Sequence, residues 1–238
     1  MVYSVKDAID DAKDIITGKP VDKDKEIWVI WSGGQDSSAI VDALCKQNPT
    51  ETIYLLSIEM EQALSNKADK ESRTILSSIF KSRGYNIEMR EMKLDGNYSS
   101  SGLGQLAAWA TILSCVMMSR RAIYFGYIKE DDMWHTIDGV KKVIEGLKII
   151  RNAPDCQVSI PLEWLSKADV VRYLNEEHLL EFCNTCDSNS QEAPYAPCGS
   201  CVSCRKFAKA KWELEQENYK LEPSEPSESD IIEPVKEV

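Results

Sequence analysis

Short apolar runs alternate along the chain with longer segments in which apolar residues recur every three or four positions. The first run, residues 27–31, is continuous and made of β-branched and aromatic residues, which is typical of a strand buried on both faces. Similar runs predict further strands at residues 52–58, 87–92, 122–127 and 157–160. Helical spacing predicts helices at residues 37–45, 67–83, 106–119, 137–150 and 166–177. This alternation predicts an α/β fold, a doubly wound parallel sheet covered by helices on both faces.

Both ends of the chain and one cysteine-rich stretch depart from this alternation. Apolar residues from Val5 to Ile16 recur at helical spacing and predict an amphipathic N-terminal helix that ends before Pro20. Residues 183–204 are too polar for a core, and helical spacing resumes over 205–215. The end of the chain is rich in Pro, Ser and Glu, which predicts disorder. We therefore divide the chain into a lead-in, an α/β domain, a cysteine region with a helix, and an acidic tail, at residues 1–25, 26–180, 181–216 and 217–238.

The composition of the chain is that of a folded globular protein. A chain of 238 residues, 43% hydrophobic and 28% charged, is long enough to fold around one substantial core. Its formal charge of -11 argues against broad binding to a phosphate backbone, although a local basic site is compatible with it. The sequence has no apolar run long enough to cross a bilayer and no signal-peptide pattern, so we expect a cytoplasmic protein without membrane contact.

The segment between the first strand and its helix reads Ser-Gly-Gly-Gln-Asp-Ser, residues 32–37. Gly33 and Gly34 allow backbone N–H groups to approach an anion, and the positive end of the following helix adds attraction. The hydroxyls of Ser32 and Ser37 can donate hydrogen bonds to phosphate oxygens, and Asp36 can cap the helix or contact magnesium. A tight turn with a helix cap is the alternative. The segment is neither a Walker A loop nor a GxGxxG turn, and its context favours a phosphate site.

Cysteines crowd into the region after the α/β domain. Four thiolates with no open coordination position predict a structural Zn²⁺ site, formed by Cys186, Cys198, Cys201 and Cys204. Metal is favoured over disulfides because the chain carries no export signal. Cys183 forms a CxxC pair with Cys186 and is a fifth candidate, which a tetrahedral site leaves out. An iron–sulfur cluster would use similar ligands and stays the alternative to zinc.

Two motifs together resemble one enzyme family. The Ser-Gly-Gly-x-Asp-Ser loop resembles that of the PP-loop ATP pyrophosphatases, and its combination with Cys-Gly-x-Cys-x-x-Cys-Arg at 198–205 resembles the 7-cyano-7-deazaguanine synthases. The resemblance extends over about residues 27–205. Other positions of the family pattern are matched by Ser57, Gln62, Gly126, Asp131, Pro161, Leu162, Lys167 and Arg205.

The resemblance implies an enzyme that adenylates 7-carboxy-7-deazaguanine with ATP and lets ammonia displace AMP. Family enzymes then use a second ATP to dehydrate the amide to a nitrile, and they form homodimers. Lys167, Asp36 and Asp131 are the implied catalytic residues, with Lys167 and Mg²⁺ offsetting charge on the leaving pyrophosphate. The residues implied to bind ATP are Ser32, Gly33, Gly34, Gln35, Asp36, Ser37 and Ser57.

The residues that follow the 122–127 strand have two interpretations. As a site, Asp131 or Asp132 would accept hydrogen bonds from the deazaguanine edge, Trp134 would stack on the ring, and His135 would transfer a proton near neutral pH. Alternatively, the segment is a solvated acidic turn with Trp134 packed beneath it. Its position at the carboxyl end of a strand favours the site.

The chain departs from the family pattern where the family shapes its substrate pocket. Ile128 stands at the family's Asn position, a Tyr-Pro-Asp-Cys segment is absent, residues 102–108 replace an Arg-Asn segment, and Ala63 and Leu64 replace basic residues. These departures leave the nitrogen acceptor open. Besides ammonia, the acceptor can be an amine of a protein or a nucleic acid. A non-catalytic nucleotide-binding module and a tRNA-thiolating enzyme are the less favoured alternatives.

Overall fold

The structure is a computed structural model that describes residues 3–60, 66–94, 105–188 and 197–221. Its centre is a five-stranded sheet with the order β3-β2-β1-β4-β5, in which every neighbouring pair is parallel. The strands are β1 (Glu26–Ile30), β2 (Ile53–Met60), β3 (Ile87–Leu94), β4 (Arg121–Phe125) and β5 (Gln157–Ser159). The predicted α/β fold with a parallel sheet is confirmed.

Helices connect the strands and cover the sheet. They are α1 (Val5–Asp10), α2 (Gln35–Gln47), α3 (Asn66–Ser82), α4 (Gln105–Val116), α5 (Ile137–Ile150), α6 (Lys167–Glu176) and α7 (Val202–Leu221). Helices α2 to α5 each follow one strand and precede the next, as crossovers between parallel strands require.

Alternate residues of β1 enter separate cores on the two faces of the sheet. Ile27 and Val29 pack with apolar residues of α1, α2, α3 and α6, whereas Trp28 and Ile30 pack with those of α4 and α5. Because both faces of β1 are buried, the strand has no polar positions between its apolar residues, which explains the continuous run in the sequence.

The strand order places β1 and β4 side by side, although β2 and β3 lie between them in the sequence. The chain winds from β1 toward β3 on one side and returns to β4 and β5 on the other. The loops after β1 and β4 therefore diverge at this point, and open α/β sheets bind ligands in the crevice that such a reversal creates.

Two predicted helices have different ends in the structure. The N-terminal helix ends at Asp10, so the prediction that it continues to Ile16 is wrong. Asp14 is 1% exposed, and its carboxylate accepts hydrogen bonds from the backbone N–H groups of Ile16, Thr17 and Val158, which hold this segment against β5. At the other end of the chain, α7 begins at Val202 and continues to Leu221, beyond both ends of the predicted helix at 205–215.

Some expectations concern residues outside the described ranges. They are the disorder of the acidic tail over 222–238, the match at Gln62, the departures at Ala63 and Leu64, and the side chains of the 102–108 departure. Within the described ranges, no helix combines the length and the apolar character that crossing a membrane requires.

Candidate phosphate cleft and metal centre

The loop after β1 leads directly into α2. Gly34 is the N-cap residue of α2, and no side chain caps the helix, so the N–H groups of its first turn keep their capacity to bind an anion. The Ser32 hydroxyl accepts a hydrogen bond from Gly34 N at 3.1 Å and lies 3.2 Å from the Ser37 hydroxyl. The two hydroxyls thus lie together beside the start of the helix.

Gly33 allows the loop to turn, and a side chain would not fit there. Its φ is +88°, and a Cβ would lie 2.9 Å from Arg73 Cγ. The Gly33 carbonyl accepts hydrogen bonds from Ser72 Oγ at 2.7 Å and Asn184 N at 3.0 Å. Gly33 is not among the residues that line the cleft described below. We therefore assign it a structural role, which is to let the backbone of the loop turn.

Arg73 in α3 holds the loop of residues 32–37 through a hydrogen bond to its backbone. The sequence did not predict this contact. Its side chain is 5% exposed, and its guanidinium donates to the Ser32 carbonyl at 3.0 Å and pairs with Glu91 at 3.5 Å. The only signal in the sequence is a basic residue within the inward-facing pattern of α3, which includes Leu76 and Phe80.

Gly126 brings the end of β4 against the first turn of α2. A Cβ at Gly126 would lie 2.5 Å from Ser37 N and 2.7 Å from Ser37 Cα, and these backbone atoms cannot move aside without moving the loop. The absence of a side chain at Gly126 therefore joins the two loops that the strand order separates.

Lys167 and Asp36 form an ion pair at the loop. Lys167 is the first residue of α6, whose N-cap Ser166 makes a capping box with Asp169. Its ammonium group lies 2.7 and 2.8 Å from the two carboxylate oxygens of Asp36. Burial raises the pKa of the Asp36 carboxyl, Lys167 opposes this shift, and Asp131 adds to it. Lys206 also lowers this pKa, but the effect of burial is larger than that of the two lysines.

Asp131 has partners on two sides. One carboxylate oxygen accepts a hydrogen bond from Ile128 N at 3.0 Å, and the other lies 3.2 Å from the ammonium group of Lys206 in α7. Lys206 was not predicted as a site residue. It follows Arg205 in α7, and it reaches Asp131 whereas Arg205 is exposed.

These groups line a cleft of about 520 Å³ at the carboxyl ends of β1 and β4. Of the predicted site residues, it brings together Ser32, Gly34, Gln35, Asp36, Ser37, Asp131 and Lys167. The cleft also contains Trp109 and Tyr127, together with residues from both ends of the cysteine region, Asn184, Thr185, Asp187, Val202, Ser203 and Lys206. The phosphate loop and the cysteine region therefore share one cavity.

Two buried polar groups near the loop have no hydrogen-bond partner among the residues that the structure describes. Gln35 is 3% exposed, and its amide donates to Thr185 Oγ1 at 3.0 Å, but its Oε1 has no partner. The hydroxyl of Ser57, which is fully buried in β2, has none either, and Ser57 does not line the cleft. Buried polar groups are normally satisfied, so Gln35 Oε1 is available to a donor on a bound ligand.

The segment after β4 that precedes α5 is partly structural. Trp134 packs against the core on the α4 and α5 face, as the alternative interpretation expected, and His135 is exposed. Lys129 lies 4.9 Å from the ring centroid of Trp164 and away from the cleft lining. Among the described side chains of residues 129–135, Asp131 is the one that lines the cleft.

The four cysteine sulfurs predicted to bind metal converge. The Sγ atoms of Cys186, Cys198, Cys201 and Cys204 all lie within 4.8 Å of one another. Backbone N–H groups of Cys201 and Cys204 donate to Cys198 Sγ at 3.3 Å and Cys201 Sγ at 3.4 Å. Cys183 lies apart in the core, and burial raises the pKa of its thiol to about 12. The cluster could hold a metal ion.

The spacing of the sulfurs indicates what kind of metal centre fits. Zinc–sulfur bonds of about 2.3 Å place the sulfurs of a tetrahedral site about 3.8 Å apart. Cys198 Sγ and Cys204 Sγ are 3.9 Å apart. In a cubane cluster each thiolate binds a different iron, so its ligands must stand farther apart than ligands of a single ion. Four thiolates at this spacing can hold one tetrahedral ion.

Sheet order and helix arrangement together define a Rossmann-like α/β fold. No protein-family model matches the sequence. No curated protein matches it either. Among solved structures it is similar to NcsA, the U34-tRNA thiolase from Methanococcus maripaludis with its [4Fe-4S] cluster. That similarity has a TM-score of 0.55 at 15% identity and covers 98% of this chain and 84% of the other. At this identity the likeness establishes the fold.

Proposed function

We propose that the protein is an ATP-dependent carbon–nitrogen ligase that adenylates 7-carboxy-7-deazaguanine. The observation that carries the proposal is the single cleft that joins the uncapped start of α2, the Ser32 and Ser37 hydroxyls, and Lys167. Helix N-termini, hydroxyls and lysines are the groups that proteins use to hold phosphate oxygens.

In the proposed reaction, a carboxylate oxygen of the acid attacks the α-phosphorus of ATP, and the bond to the β-phosphate breaks. The N–H groups of α2 and Lys167 hold the pyrophosphate that leaves, and Asp36 lies where it can contact Mg²⁺. Magnesium, when bound, offsets charge on the phosphates. Preorganised donors aimed at the developing charge contribute more in a partly buried cleft than in water.

In the second step, a nitrogen nucleophile attacks the carbonyl carbon of the acyl adenylate and AMP leaves. The nucleophile loses one proton, and the product is an amide, which a second ATP can convert to the nitrile. Asp131, at the end of β4 in the same cleft, is our candidate for recognising the acid or the amine. Its present partners, Ile128 N and Lys206, must share it with a ligand.

An amine of a protein or a nucleic acid is the alternative acceptor. The observation that favours it concerns Ile128, which stands where the family has Asn. Ile128 is apolar and fully buried, so it offers no polar group to a small substrate. A tRNA thiolase is the candidate that the fold comparison suggests. The charge of -11 counts against it.

The test is AMP formation by the metal-loaded protein from ATP and 7-carboxy-7-deazaguanine, with mass spectrometry of the products. We expect AMP that depends on the acid, and a deazaguanine amide or nitrile when ammonia is present. An adduct found only on added protein or RNA would support the alternative acceptor. AMP that forms with tRNA in the absence of the acid would contradict the ligase proposal.

A further inference from the structure

The first turn of α7 separates the cysteine cluster from the cleft. Residues three or four positions apart share one face of a helix. Cys201 and Cys204 direct their sulfurs to the cluster, whereas Val202, Ser203 and Lys206 line the cleft. A bound metal would therefore fix one face of a helical turn whose other face forms a wall of the cleft.

Lys206 differs from the next lysine along the same helix. Its side chain is 23% exposed and lies 3.2 Å from Asp131, whereas that of Lys209 is 66% exposed and pairs with Glu213. Among the described residues that line the cleft, Lys167 and Lys206 are the cationic side chains. Each already has a carboxylate partner, Asp36 or Asp131.

The charge of the expected ligand exceeds what Lys167 alone can offset. A nucleoside triphosphate carries several negative charges, and the carboxylates of Asp36 and Asp131 would repel it. Lysines bind phosphate as point charges, and an ammonium group at an ion-pair distance from Asp131 can turn toward a phosphate oxygen in the same cavity. A second cation makes the cleft suited to a polyphosphate.

We propose that Lys206 is a phosphate-binding residue of the cleft and that metal bound to the cysteine cluster holds its ammonium group in place. The proposal rests on the proposed use of ATP, but not on the identity of the acid. It gives the metal a role at the site: the ion fixes the helical turn that carries one of the two cations.

The first test measures the binding of Mg-ATP by calorimetry, without any acid, to the metal-loaded protein. We expect Lys206→Met to weaken binding about tenfold to a hundredfold, as loss of a hydrogen bond to a charged group does. Lys206→Arg should stay within about threefold of the unaltered protein because it keeps the charge. Lys209→Met is the matched control and should bind ATP normally.

The Asp131→Asn variant shows whether Lys206 binds phosphate or only forms a structural ion pair with Asp131. If Lys206 binds phosphate, removing the Asp131 charge should not weaken ATP binding, although it should lower AMP formation. If the pair only holds the loop after β4, Asp131→Asn and Lys206→Met should weaken ATP binding alike, and that result would overturn the proposal.

The metal arm compares the protein with and without its metal, removed by a chelator and verified by metal analysis. We expect removal to weaken ATP binding, and Lys206→Met to add little further loss in the metal-free protein, because coupled effects are not additive. Fully additive losses would contradict the link between metal and Lys206. Two results would overturn the proposal for Lys206. One is normal ATP binding by metal-loaded Lys206→Met with an unchanged melting temperature, and the other is absence of ATP binding by the unaltered protein.

ATP binding without AMP formation would contradict the ligase proposal and leave the proposal for Lys206 standing.

Discussion

Two aspartates of helix α2 have opposite surroundings. The side chain of Asp42 is fully buried, and its oxygens meet Arg83 at 2.8 Å, Lys46 at 2.9 Å, Tyr173 at 2.7 Å and Tyr85 at 3.3 Å. The side chain of Asp36 is 18% exposed, and among the described residues the hydrogen-bond partner of its carboxylate is Lys167. A carboxylate with every lone pair engaged serves the fold, whereas one with spare acceptor capacity in a cleft is available to a ligand.

The cavities near the two aspartates reinforce this comparison. A cavity of about 570 Å³ lies at the C-terminal end of α2, and Lys46, Tyr173 and Glu177 are among its lining residues. Lys46 there pairs with both Asp42 and Glu177. The cleft at the other end is slightly smaller but contains Gln35 Oε1 without a partner. Chemistry, not size, distinguishes the site.

The largest effect is expected at Asp42. Asp42→Asn would remove the buried charge that Arg83, Lys46 and two tyrosines share. Because Glu177 still faces both cations, we take the lower end of the cost of breaking a buried pair, about 3 kcal/mol. The free energy of unfolding from urea titration should fall by that amount. Activity per folded molecule should not change. A loss below about 1 kcal/mol would show that this end of α2 is not the structural one.

The next effect is expected at the ion pair in the cleft. Lys167→Met should lower AMP formation about a hundredfold to a thousandfold, as loss of one preorganised donor to a charged transition state does. Its unfolding free energy should fall by about 1 kcal/mol or less, because the Asp36 carboxyl, whose pKa is raised by burial, can take up a proton when the lysine is absent. Steady-state kinetics and urea titration on the same preparation check both. A large loss of stability with normal kinetics would show that the Asp36 end of α2 serves the fold and not the reaction, which would contradict the comparison.

Gly126 allows a smaller and local test of the functional end. Gly126→Ala places a Cβ against the Ser37 backbone and should cost about 1–3 kcal/mol as overpacking, together with reduced ATP binding. Gly139→Ala in α5 is the matched control, since a Cβ there meets nothing within 4 Å, and it should stabilise the helix by up to about 1 kcal/mol. Equal behaviour of the two variants would contradict the close contact between the loops.

The smallest effect concerns pH. The pKa of Asp36 is raised in the folded protein, so its ionisation opposes folding: stability falls as pH rises from the ordinary value of about 3.9 through the raised one. Asp36→Asn should remove this loss and flatten the dependence of stability on pH above about 4. Thermal unfolding between pH 4 and pH 8 measures it. A loss of stability in Asp36→Asn that grows with pH would contradict the assignment.

The sequence predicted the features that depend on local pattern. The continuous apolar run of β1, the glycines and serines of the loop, and the spacing of Cys198, Cys201 and Cys204 each reflect nearby residues. The parallel order of the strands places β1 in the sheet and its loop at the carboxyl edge, and the short spacing of the three cysteines brings their sulfurs together. These parts of the fold and of the candidate site could be read before the structure.

Features that depend on contacts between distant segments were missed. Arg73 in α3 donates a hydrogen bond to the Ser32 carbonyl, and Lys206 in α7 reaches Asp131 across the cleft. The apolar pattern at Ile15 and Ile16 has helical spacing, but burial of Asp14 against β5 replaces the helix with a turn. No local signal distinguishes a buried carboxylate with distant partners from an exposed one, so the sequence could not reveal these pairs.

The central claim is that the cleft splits ATP between its α and β phosphates. The most direct measurement is the identity of the products that metal-loaded protein forms from ATP in the presence of 7-carboxy-7-deazaguanine. The account expects AMP and pyrophosphate, formed only with the acid and strongly reduced in Lys167→Met. Formation of ADP and inorganic phosphate, or AMP formation that Lys167→Met leaves unchanged, would contradict it.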